Sequence, residues 1–138
     1  MKKIHLVVLF CLLLAGCTTY EKLPAQRQAD LVTITTLPGF PELPRKEIRG
    51  ADQIAALVSF VNSLPNRWNV PWAGPPVGQV NFEFYSHGKF VGNFYVGPNF
   101  FGRDAGNFWS QSTDRTKIVE LGKIVELDLL TYIDAKKP

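Results

Sequence analysis

Acid–base and nucleophilic chemistry call for histidines, thiols or paired carboxylates, and this chain of 138 residues holds two histidines and two cysteines. His5 and Cys11 fall in the apolar N-terminal run, which leaves His87 and Cys17. His87 stands in Ser86-His87-Gly88, between two alternating segments, and reads as the exposed tip of a hairpin. A Ser-His-Asp triad would have to recruit it there, and a His-rich zinc site is excluded. Carboxylate pairs of the glycoside-cleaving kind can be drawn as Glu126 with Asp128 or Glu83 with Asp104. The first pair alternates onto a solvated face, and the second is suggested only by its aromatic neighbours. Asp104, in Gly102-Arg103-Asp104-Ala105-Gly106, lacks the alternating acidic ligands of a calcium loop. These residue types point away from an enzyme, with no catalytic set, metal or cofactor expected.

Aromatic side chains offer binding chemistry instead. Trp68 and Trp72 stand in a loop stiffened by Pro71, Pro75 and Pro76, and Trp109 follows the second Gly-rich turn. Rigid loops with large aromatics are common binding elements, although the favoured reading of Trp68 and Trp72 is a cap on one end of the core, with their indole N–H groups bonded to loop carbonyls. In the hairpin, Tyr85, Val91 and Tyr95 alternate away from the phenylalanines, onto a face suited to solvent or a partner protein. Two function classes follow. One is a protein-binding module, either an accessory subunit or an inhibitor or immunity protein; the other binds glycan or another envelope polymer by stacking Trp68, Trp72 or Trp109 on sugar rings.

The N-terminus says where such a module works. Lys2 and Lys3 precede the apolar run Ile4 to Leu14, interrupted only by His5, as in a secretory signal, and the run is shorter than the roughly 20 residues of a membrane span. It ends in Leu14-Ala15-Gly16-Cys17, which resembles the lipobox of bacterial lipoproteins. That resemblance covers residues 1 to 17. It implies a signal peptide over 1–16, removal of that segment, and Cys17 as the first mature residue, carrying a diacylglycerol thioether and an acylated amine. Acyl chains on Cys17 then anchor the protein in the cell envelope. Thr18 stands where enteric inner-membrane lipoproteins carry Asp, so the resemblance favours the periplasmic face of the outer membrane where the cell has one.

Processing would also remove Lys2 and Lys3, leaving 13 Lys+Arg against 12 Asp+Glu. No basic block remains, and nucleic acid is not expected as a partner. With Cys11 removed and Cys17 lipidated there is no disulfide, so the 122 residues that remain must be held by their core.

The elements that position these residues read as follows. Residues 17–30 form the lipidated Cys and a polar tether of up to about 40 Å; residues 31–138 form a single α+β domain. Leu31 to Leu37 is a β-branched strand closed by Pro38-Gly39. Ala51 to Leu64 is a helix, with Ile54, Leu57, Val58, Val61 and Leu64 on one face and Pro65 as its stop. Pairing two strands through a two-residue turn at His87-Gly88 would put Phe90 and Phe94 on the face of Asn81 and Glu83. A three-residue loop, Ser86-His87-Gly88, pairs Tyr85 with Lys89 and Phe84 with Phe90, collecting the phenylalanines on one face and setting Phe82 opposite Gly92. Another strand follows over Asn107 to Gln111. The C-terminal stretch favours a helix capped by Ser112 or Thr113, with Ile118, Leu121, Val125, Leu129 and Tyr132 buried and Lys136 and Lys137 at its negative end, over a strand alternating through Val125, Leu127 and Leu129. The expectation is a mainly antiparallel sheet of about four strands with one or two helices packed on one face.

Overall fold

A computed structural model of the chain describes residues 20–71, 74 and 78–134. Residues 1–16, Cys17, Trp72, Lys136 and Lys137 lie outside the described residues. Among the described residues six strands, β1 (Leu31–Thr36), β2 (Lys46–Ile48), β3 (Val80–Ser86), β4 (Lys89–Val96), β5 (Phe100–Asp104) and β6 (Phe108–Ser112), form one sheet in the order β2-β1-β3-β4-β5-β6. Every pairing is antiparallel. Helices α1 (Ala51–Ser63), α2 (Arg115–Val125) and α3 (Leu129–Ile133) complete an α+β fold. The expected four strands become six because two lack a readable pattern: β2 has three residues, two of them charged, and β5 contains the Gly102-Arg103 pair that reads as a turn.

Helix α1 runs as its spacing predicts, burying Ile54, Leu57, Val58 and Val61 together with Phe60. Leu64 leaves the helix with ψ 147°, the extended conformation that the following Pro65 demands. The buried stripe packs on the inner side chains of the sheet, Val32, Ile34, Phe82, Phe84, Phe94, Val96 and Phe101. Phe94 and Phe101 stack with ring centroids 5.0 Å apart, and Phe60 meets Phe101 edge-on at 5.9 Å.

The C-terminal segment is helical, but it is two helices rather than one. Asp114, not Ser112 or Thr113, caps α2 by accepting a hydrogen bond from the Lys117 N–H. At the other end Glu126 adopts a left-handed φ of 54° and the Leu127 N–H bonds back to the Gly122 carbonyl, so the chain folds over before α3. The end of α2 is closed by the helix-side neighbours: Lys46 Nζ donates to the Val125 and Glu126 carbonyls and Gln53 Nε2 to the Ile124 carbonyl. Lys46 thus supplies the cation that the C-terminal end of a helix favours.

Residues 20–30 are not a free tether. Glu21 pairs with Trp68 in an antiparallel bridge, and Leu23 and Gln26 are buried. Two asparagines, Asn62 in the last turn of α1 and Asn66 just beyond its end, grip the backbone of this strap. Asn66 accepts from the Leu23 N–H and donates to the Leu23 carbonyl (2.9 and 3.1 Å), and Asn62 does the same with Gln26 (2.6 and 3.2 Å). A primary amide offers a donor and an acceptor side by side, so each side chain satisfies both polar groups of one extended residue.

Candidate functional site

The β3–β4 hairpin turns through two residues, His87 (φ 51°) and Gly88 (φ 74°), and Ser86 pairs with Lys89. Tyr85 therefore pairs with Phe90, the register that the alternation of phenylalanines argued against. The sheet reconciles the two with a β-bulge: the register shifts between Phe84 and Tyr85, so that Val91 is the extra residue, Phe84 faces Gly92 and Phe82 faces Phe94. Phe94 returns to the core by this device and Phe90 alone stays outside. Gly92 is covered by the strap rather than by Phe82, since a Cβ there would stand 2.9 Å from Gln26 Oε1. Asp30 braces the turn by accepting from the His87 N–H at 2.7 Å.

The outer face of the sheet carries the polar residues of β1, β3 and β4. Glu83 is its centre: Oε2 accepts from Tyr85 OH (2.9 Å) and Thr33 Oγ1 (3.2 Å), and Oε1 from Asn81 Nδ2 (3.4 Å). That hydrogen bond and the carboxylate charge raise the Tyr85 pKa above its ordinary value. Tyr95 is also raised, first by burial and then by the charges of Asp104 and Glu83. Its hydroxyl accepts from Asn93 Nδ2, and its ring lies 5.4 Å from that of Phe108. Glu83, Asn93 and Asp104 occupy one row across β3, β4 and β5, which separates the two carboxylate residues by two strand spacings, about 10 Å between Cα atoms. Among the described residues no cluster of three His, Cys, Asp or Glu is placed to hold a metal.

Of the described residues singled out in the sequence, the sheet brings Tyr85 and Tyr95 to this face and sends Trp68, Val91 and Trp109 elsewhere. Trp68 is 2% exposed and belongs to the core; Trp109 packs against it from the helix side, with Nε1 unpartnered. Val91, displaced by the bulge, packs against the core instead of joining the tyrosines. Phe90 was missed as a surface residue. It is 55% exposed, meets Tyr85 edge-on at 5.9 Å, and with Val91 walls a cleft of about 310 Å³ between hairpin and strap. A two-residue turn was the available signal, but parity alone cannot reveal that one added residue restores the register.

Arg103 lines the same cleft, only 8% exposed. It donates to the Pro24 carbonyl (3.0 Å) and stacks over Trp68, its guanidinium 5.7 Å from the ring. Burial lowers its pKa, and no carboxylate of the described residues lies within salt-bridge distance. The cleft thus offers an apolar wall and a buried cation, with the exposed Arg27 and Asp104 also lining it. No helix of the described residues is long and apolar enough to cross a membrane. No protein-family model, curated protein or solved structure matches the chain.

Proposed function

We propose that this chain is a lipid-anchored envelope protein that acts by binding another envelope protein, as an accessory subunit or as an inhibitor, and not by catalysis. The lipobox motif supports anchoring through Cys17, at the periplasmic face of the outer membrane where the cell has one. The observation that carries the binding role is Phe90: an aromatic ring held outside the sheet by a bulge, seated on Tyr85, beside a cleft with a buried, unneutralised Arg103. Rigid aromatics bury much area at small entropic cost, and a buried cation without a counter-ion favours a partner that brings a carboxylate. Glycan stacking has less support, because Trp68 and Trp109 lie in and against the core.

The test replaces Tyr85 and Phe90 together by Ser, verifies the fold by thermal melting, and compares crosslinked envelope pull-downs with the wild type. Loss of one protein partner is expected. Unchanged recovery of every partner would refute the proposal, and retention on insoluble peptidoglycan in place of a protein would favour the glycan reading.

A further inference from the structure

The docked strap changes the geometry of the anchor. Glu21 is fixed to Trp68 by two backbone hydrogen bonds (2.7 and 3.1 Å), so the body of the protein begins within one residue of Tyr20. Three Cα steps separate Cys17 from Tyr20, about 11 Å at full stretch. Acyl chains on Cys17 would enter the hydrocarbon below a headgroup layer about 6 Å thick. What remains, about 5 Å, lets the Tyr20 backbone rise above the lipid surface by less than the length of its own side chain.

The edge that such a leash would press on the bilayer has the chemistry for it. Tyr20 and Val70 are 45% and 55% exposed, and the Arg67 guanidinium stands 4.5 Å over the Tyr20 ring. Continuing the Glu21 to Trp68 register sets Tyr20 opposite Asn69, next to Val70. Lys22 and Arg67 against Glu21 leave this edge cationic by one charge. Tyrosine favours the headgroup level, where its ring meets lipid and its hydroxyl meets water, and an arginine beside it complements lipid phosphate.

We infer that the edge carrying Tyr20, Arg67 and Val70 lies against the headgroup layer of the membrane that holds Cys17, fixing the orientation of the domain; this rests on the lipid-anchor reading. The occupant is the phospholipid surface itself, because the leash is too short to admit a protein between.

The experiment uses the full chain, processed in cells and reconstituted into vesicles of phosphatidylethanolamine and phosphatidylglycerol. A clickable fatty acid should label the wild type and not Cys17→Ser. An environment-sensitive dye on Val70→Cys should be quenched several-fold more by headgroup-level spin-labelled lipid than the same dye on Val119→Cys, another exposed valine, on α2. A flexible spacer of roughly 15 Gly and Ser residues between Thr19 and Tyr20 should weaken that difference. A chain that is labelled and bound to vesicles, yet equally quenched at the two positions, overturns the docking alone. A chain that takes no label and stays in solution overturns the anchor, and the docking with it.

Discussion

The two faces of the sheet are made by the same strands and follow different rules. On the helix side, Phe82, Phe84, Phe94 and Phe101 are wholly buried and touch one another and α1, so that face is specified by volume. On the outer side Thr33, Asn81 and Asn93 are nearly as buried, but around them stand a carboxylate and tyrosine hydroxyls, and that face is specified by hydrogen bonds. Alternation along a strand decides which residue faces which side; it does not decide how either side is held. The inner face tolerates little change of shape. The outer face tolerates change where its donors and acceptors are kept, which makes it the face on which a binding surface can be altered without losing the fold.

The contrast can be broken most directly at Phe82. Phe82→Ala should destabilise by about 3 to 5 kcal/mol, because it opens a cavity beside Phe94 that the helices cannot collapse into. Urea unfolding measures it, and a loss no larger than that of Tyr85→Ser would erase the difference between the faces. The hairpin turn that joins them comes next. Gly88 is left-handed with open space around it, so the cost of Gly88→Val is conformational, about 1 to 3 kcal/mol. His87 is left-handed too, and His87→Asn should raise stability by about 0.5 kcal/mol, since Asn-Gly suits a two-residue hairpin turn.

The smallest effect lies on the outer face and is read by pH. Glu83 holds the Tyr85 proton, so Glu83→Gln should bring the phenol back toward pKa 10.0, followed by phenolate absorbance. The sign for stability follows. The folded pKa is raised, so the contribution is complete below the unfolded value near 10 and is lost as pH rises through the folded one. Wild type should therefore lose stability in alkali over a range where Glu83→Gln loses less.

How much of this was legible follows from local pattern against long-range contact. Helix α1 was read almost to the residue because apolar spacing and Pro65 are both local. The turn at His87-Gly88 was misread because the Val91 bulge is a compromise between turn chemistry and core parity, visible only when both strands are in place. β2 and β5 were invisible, since a short charged strand and a Gly-Arg pair are strands only by virtue of their neighbours. At the site, Tyr85 and Tyr95 were found by alternation, whereas Phe90 and Arg103 depend on the bulge and on the strap. Asn62 and Asn66 gave no warning: a polar residue in the last turn of a helix and another just past its end are ordinary until an extended chain lies beside them.

The strap also sets an order of events in folding. Its hydrogen bonds join residues 36, 43 and 79 positions apart, the longest closed only when Arg103 reaches the Pro24 carbonyl. Contacts of such separation form late, because the chain must surrender loop entropy before they repay it. The strap is thus among the last parts of the described body to be seated, and until β5 is in place Arg103 cannot close it at the Pro24 carbonyl.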